Sequence, residues 1–159
     1  MSVIQLRRSA LATITAEAPA SADGRETGGI LLGTDDGERV DVRHAGGPGP
    51  AADRNATGFR RDLIHAQQLA LDAWATDGSV WVGEWHTHPH PRSPICPSDT
   101  DLATYHRFLD DPRLGFQRLC AIIVAPAAPP DWDRLVLGAW LITRTELDPA
   151  KIVVAEGRA

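Results

Sequence analysis

The stretch that most constrains this chain is residues 79–97, SVWVGEWHTHPHPRSPICP. Its first half is rich in β-branched and aromatic residues and starts apolar on both faces. That predicts a central strand over residues 79–88. Its second half holds four prolines within residues 89–97, and proline can neither donate to a sheet ladder nor continue a helix. A buried strand therefore stops abruptly in a loop, with His86, His88 and His90 at the junction. Side chains alternate faces along a strand, so Glu84, His86 and His88 point one way and Trp85 and Thr87 the other.

The elements around this strand are mixed. Residues 3–6 read as a short strand, and residues 8–18 as a helix with Leu11, Ile14 and Ala18 on one side. Residues 27–33 and 39–43 flank the turn sequence TDDGE and predict a hairpin. Residues 45–58, AGGPGPAADRNATG, predict a loop, and loops of that length are often functional or mobile. A helix is expected over residues 60–76, on the spacing of Leu63, Ile64, Gln67, Leu71 and Trp74, with Asp77-Gly78 ending it. A further helix over residues 98–110 opens at Ser98. Two buried strands, 117–125 and 134–143, flank APAAPPDWD, and a last short strand is expected at 151–155. The five tryptophans are expected in the core. The expected class is α/β (mixed α+β), sandwich-like, with a central mixed sheet flanked by helices.

Composition narrows the function. A length of 159 residues predicts one domain, residues 1–159, with a core large enough to need no staples. A formal charge of -5 without a basic run argues against a nucleic-acid surface. Only two cysteines, Cys96 and Cys120, are present, which fits a reducing, cytoplasmic setting better than a disulfide framework. Arg7-Arg8 followed by SALATITAEAPASA imitates a secretory signal, but Thr13, Thr15 and Glu17 interrupt the apolar centre such a signal needs. No apolar run is long enough to span a membrane.

An H-x-H pair on one strand face can put two imidazoles on one metal ion, and neutral imidazole is a common zinc ligand. The competing reading is a pair of surface histidines. The sequence PSDTDL at residues 97–102 offers a third ligand: Ser98 has the character of an N-cap and Asp101 sits at the third helical position. A plain capping box has the same geometry. Two histidines, one carboxylate and an open position make the layout of a catalytic zinc site. A general base then has to come from a nearby carboxylate. Proximity in sequence favours Glu84; Glu26 is the other candidate, opening ETGGILLG, where Gly28 and Gly29 imply close backbone approach.

Taken together, ETGGILLG, GEWHTHP and PSDTDL resemble the JAMM metalloprotease family, the MPN-plus domain, and most closely its small prokaryotic JAB-type branch. The resemblance covers most of the chain and implies an MPN/JAB-like domain with a single zinc site at a strand end. It implies His86, His88 and Asp101 as zinc ligands, Glu26 as general base and Ser98 as a support for the oxyanion. Glu84 would then orient a histidine from behind. The implied activity is hydrolysis of the isopeptide or peptide bond after the C-terminal tail of a ubiquitin-like protein. Alternatives are trimming of a ubiquitin-fold sulfur carrier and a non-catalytic MPN scaffold; a RadC-like domain shares part of the motif but not the ETGGILLG opening. One departure stands out. The family spacing leads from His88 to Asp99, which would put Cys96 where the serine belongs. Asp101 restores the serine through a loop two residues longer, and loops lengthen cheaply. His90 and Cys96 are the remaining possible ligands near the site.

Overall fold

The computed structural model describes residues 1–90 and 94–157. Nine strands and three α-helices occur among them, in mixed order. Strand β1 (Ser2–Arg7) leads into helix α1 (Arg8–Glu17), followed by a 3₁₀ segment at Ala18–Asp23. The hairpin β2 (Gly28–Asp35) and β3 (Arg39–Ala45) comes next, then a small hairpin, β4 (Asp53–Asn55) and β5 (Gly58–Arg60). Helix α2 (Leu63–Asp77), strand β6 (Val80–Thr87) and helix α3 (Asp99–Asp110) follow. Strands β7 (Leu119–Ala128), β8 (Asp131–Ile142) and β9 (Leu147–Ala155) complete the chain.

The main sheet runs β1-β3-β2-β6-β7-β8-β9 and closes on itself through parallel pairing of β1 with β9. It is mixed: β6 and β7 run parallel, while β2 is antiparallel to both β3 and β6. The expected mixed sheet with flanking helices is therefore present, curled into a barrel rather than stacked as a sandwich. Its interior holds Ile4, Leu6, Leu31, Val40, Val42, Trp85, Ile122 and Val124, together with Ala10 and Ile14 of α1. Helices α2 and α3 cover the outer face. Ala73 lies over Ile30 and Leu32, and Tyr105 and Leu109 lie over Leu119, Ala121 and Ile142.

Two sequence expectations change. The loop at residues 45–58 contains β4 and the start of β5, so its second half is a hairpin. The stretch between β7 and β8 shrinks to Pro129-Pro130, because both strands extend into APAAPPDWD. The strand bearing the histidines has an irregularity as well. Leu31 pairs with Gly83 and Leu32 with Trp81, leaving Val82 as an extra residue on β6. Such a bulge resets the alternation of faces. Val82 and Trp85 both enter the interior, whereas Trp81 lies on the outer face against Phe108 and Phe116. The run reads as apolar on both sides for this reason.

Candidate metal centre

The outer face of β6 ends in Glu84, His86 and His88, and all three are buried. Beyond Thr87 the chain is still tied to the sheet, since His88 N–H donates to the Val124 carbonyl at 2.9 Å. The alternation read from the sequence thus holds through His88, and the two rings lie 4.9 Å apart. Their Nε2 atoms are 3.0 Å apart.

Helix α3 delivers the third group. Ser98 is its N-cap, and the side-chain oxygen of Ser98 accepts the Asp101 N–H at 3.1 Å. In return the Asp101 Oδ2 accepts the Ser98 N–H at 2.8 Å, completing a capping box. That same oxygen stands 3.2 Å from the Nε2 of His86 and 3.2 Å from that of His88. Three lone-pair atoms thus form a triangle with edges of 3.0, 3.2 and 3.2 Å. A tetrahedral ion with ligands at about 2.0–2.1 Å has ligand-to-ligand edges of about 3.3 Å. Two imidazole nitrogens and one carboxylate oxygen also form a donor set suited to zinc. The residues present fit such an ion. Asp99, the alternative third ligand, is exposed at the helix start. His90 is exposed and Cys96 half-buried.

Glu26 approaches from the other side. Its carboxylate and one nitrogen of each histidine all lie within 4.8 Å of one another. A residue just outside a strand needs help to stay there, and several contacts supply it. Glu26 N–H donates to the Asn55 carbonyl at 2.7 Å, and Arg54 Nε donates to the Glu26 carbonyl at 2.9 Å. The Arg54 guanidinium also grips both carboxylate oxygens of Asp23 and the carbonyl of Arg25. The β4–β5 hairpin therefore holds the segment carrying Glu26. On its far side Thr27 exchanges two hydrogen bonds with Thr87 of β6: Thr87 N–H donates to the Thr27 carbonyl at 2.9 Å, and Thr27 N–H donates to the side-chain oxygen Oγ1 of Thr87 at 2.9 Å. The glycines permit this close approach. A Cβ on Gly28 would sit 2.2 Å from the Trp85 carbonyl oxygen, and one on Gly29 1.9 Å from that of Gly46.

The outer nitrogens of the histidines also have partners. His88 Nδ1 is 2.9 Å from the carbonyl oxygen of Pro94, and His86 Nδ1 is 3.4 Å from the Tyr105 hydroxyl. With an ion held by both Nε2 atoms, the proton of each ring would sit on Nδ1 and be donated outward. Asp101 and Tyr105 are four residues apart on α3 and so share one face of the helix. Sequence reading missed Tyr105, Pro94, Arg54 and Thr87. The i, i+4 relation of Tyr105 to Asp101 is the one signal that pointed to any of them.

Glu84 does not take the place expected for it behind a histidine. It forms a buried ion pair with Arg61, whose guanidinium lies 5.2 Å from the Trp81 ring centroid and 5.6 Å from that of Phe108. The two residues floor a cavity of about 390 Å³ between the β4–β5 hairpin and α3, rimmed by Asp53, Arg60 and Arg107.

The electrostatics follow from burial and from these contacts. Burial pushes the Asp101 carboxyl pKa up, but hydrogen bonds with both histidines and the Ser98 N–H outweigh it and hold it well below the usual range. Burial raises the Glu26 pKa; the two histidines pull it back only in part, and the nearby Asp101 charge adds to the rise. Burial lowers the His88 pKa, but its hydrogen bonds with Asp101 and the Pro94 carbonyl and the charges of Asp101 and Glu26 together more than reverse this. Tyr105 is pushed well upward by burial and stays a neutral phenol.

A mixed sheet closed into a barrel, with this cluster at one strand end, defines a JAB-type domain. Residues 7–138 match the family described as prokaryotic homologs of the JAB domain, and the chain belongs to that family. It is 41% identical over 66 residues to a CD-NTase/cGAS isopeptidase of Escherichia coli (strain TW11681), covering 40% of this chain and 42% of the relative. A protein of the same name from Pseudomonas aeruginosa (strain BWHPSA011 / Pa011) is 32% identical over 107 residues, 66% of each chain. A third, from Vibrio cholerae serotype O1, is 31% identical over 84 residues, 52% of this chain and 53% of the relative. The matches thus span from 42% to 66% of these relatives' lengths. The solution structure of a protein from Desulfitobacterium hafniense superposes with a TM-score of 0.66 at 26% identity, over 97% of this chain and 94% of the other. No described helix is long and apolar enough to cross a membrane.

Proposed function

We propose that this chain, acting as a single domain, is a zinc-dependent isopeptidase that hydrolyses the amide bond after the C-terminal tail of a ubiquitin-like protein. The observation that carries the reading is the triangle of His86, His88 and Asp101 donor atoms with the Glu26 carboxylate beside it. The relatives named CD-NTase/cGAS isopeptidase support it and make a CD-NTase-type protein the leading candidate for the other half of the conjugate.

His86, His88 and Asp101 would hold the ion, which supplies Lewis acidity that polarises the scissile carbonyl and lowers the pKa of water toward about 7. Glu26 serves as general base: its carboxylate removes a proton from the attacking water and carries it to the leaving amine. The Ser98 hydroxyl has its oxygen engaged by the Asp101 N–H, which leaves its own proton available for the substrate oxyanion. One such donor contributes roughly 3–4 kcal/mol to the transition state. No covalent intermediate is needed.

The test compares two substrates at equal concentration: a fusion placed after a terminal Gly-Gly of a cognate ubiquitin-like protein, and the bare tail peptide. The fusion should be cut faster, and a chelator should stop the reaction until zinc is restored. Equal rates on unrelated peptides would point instead to a general peptidase. Cleavage indifferent to the chelator would remove the metal from the reading.

A further inference from the structure

The cavity floored by Glu84 and Arg61 neighbours the histidine pair on one face of the sheet. Glu84 and His86 lie two residues apart on the outer face of β6, about 6.6–6.8 Å along a strand. On one wall Thr104 follows Asp101 by three residues, close to one turn of α3. On the other, the Phe59 ring of β5 lies so close over Gly28 that a Cβ there would meet it at 2.7 Å, and Gly28 is the register partner of His86.

The lining carries an excess of positive charge. Arg60, Arg61 and Arg107 stand against Asp53 and Glu84, three cations to two anions, in a chain whose formal charge is -5. Of the three arginines, only Arg61 has a carboxylate partner among the described residues, Glu84. Arg60 and Arg107 are exposed, and Arg107 reaches the Thr104 hydroxyl at 3.3 Å. Arg61 also has donors to spare. A guanidinium carries five N–H groups, and among the described residues Glu84 is its one acceptor. Its side chain is 14% exposed, lines the cavity and is held against the Trp81 and Phe108 rings. A guanidinium fixed in this way is the side chain best matched to a carboxylate, which it can take through two parallel hydrogen bonds.

We propose that this cavity is a specificity pocket for an acidic side chain, aspartate or glutamate, at the third residue before the cut in the substrate tail. The assignment rests on the isopeptidase reading above. An extended tail whose last carbonyl sits at the histidine pair sets the side chain two residues earlier about 6.6–6.8 Å away, the spacing of Glu84 from His86. The leaving side of an isopeptide offers only an unbranched lysine stem at that distance, so a side-chain pocket this near the cut serves the tail. Arg61 takes the carboxylate, while Arg60 and Arg107 offset the charges of Asp53 and Glu84. A basic side chain at the same position would face three guanidinium groups.

The experiment titrates the full, zinc-loaded, ¹⁵N-labelled chain with the peptide acetyl-Ser-Glu-Gly-Gly and with its Gln and Lys counterparts, and follows the arginine Nε–H signals by NMR. The Glu peptide should bind at least about fivefold tighter than the Gln peptide, and the Lys peptide more weakly than either. The Arg61 signal should move with the Glu peptide, and added salt should narrow the preference. Arg60→Ala combined with Arg107→Ala, both at exposed positions, should keep the circular dichroism spectrum and lose most of the preference. Arg107→Glu should turn the preference toward the Lys peptide. Equal affinity for the three peptides, a preference for Lys or no binding up to about 10 mM overturns the proposal. So does a Glu preference that leaves the Arg61 signal unmoved and survives the double variant. Binding and turnover fail separately. Glu-selective binding without cleavage of any isopeptide-linked tail supports the pocket and overturns the isopeptidase reading; cleavage that ignores the residue at this position does the reverse.

Discussion

Arg54 donates through Nε to the carbonyl oxygen of Glu26, reaching 28 residues back along the chain to hold the residue whose carboxylate faces the histidine pair. The proposed base thus sits on a segment outside the main sheet and is positioned by a hairpin. Replacing Arg54 by Leu should free that segment. We expect kcat to fall by about tenfold to a hundredfold, the cost of an ångström-scale misplacement, with zinc content unchanged. Loss of zinc in the purified variant would mean that the hairpin supports the ligands and not the base.

Glu26→Gln separates the two carboxylates near the site. It should retain zinc and lose about 10²–10⁴ in kcat, the range for removing a general base. Glu84→Gln should leave kcat nearly intact. Its effect should fall on stability, because Arg61 would stay buried with a weakened partner, at a cost of about 1–3 kcal/mol in urea unfolding. The reverse ranking in a peptidase assay would transfer the base role to Glu84.

Asp101→Asn should weaken zinc binding, whereas Asp99→Asn should not. Asp101 Oδ2 is 3.2 Å from both histidine nitrogens, and Asp99 is exposed. Competition against a chromogenic chelator measures both affinities. Equal losses would show that the helix start as a whole, through its charge, holds the ion.

Tyr105→Phe removes the partner of His86 Nδ1 without changing the packing of the ring. Partners that orient a ligating histidine are commonly worth 10–100-fold in metal affinity, and a loss in that range is expected. The apo protein's melting temperature should barely move. If the apo protein melts earlier and metal affinity is unchanged, the tyrosine is a core residue only.

Asp41 gives a pH dependence remote from the histidines. Burial pushes its carboxyl pKa up, but hydrogen bonds from Arg7 and Arg43 outweigh this and hold it below the ordinary value. A depressed native pKa means that the unfolded chain binds the proton first. The Asp41 contribution is therefore complete above the unfolded value of about 3.9 and fades as pH falls below it toward the lower native value. Wild type should exceed Asp41→Asn by about 1.5–3 kcal/mol at pH 7, and the gap should narrow in acid. A gap independent of pH would show that the variant disturbs packing and not charge.

What the sequence determined by itself was local. Strand alternation put His86 and His88 on one face, and a capping signature put Asp101 in the first turn of α3, because both depend only on neighbours a few residues away. Tertiary structure decided which distant groups meet there. The approach of Glu26 depends on Arg54 and Asn55 of β4 and Thr87 of β6, and on two glycines that let backbones come into contact. The pairing of Glu84 with Arg61 likewise needed the turn into α2 to fold against β6. Helix α2 shows the limit most sharply. Its large apolar residues predicted the buried face, yet the sheet beneath is already filled by Ile30, Leu32 and Trp81, so close packing selected the alanine face and turned Leu71 and Trp74 outward. Periodicity reveals that a helix has an apolar stripe; the shape of the surface it meets determines which stripe is buried.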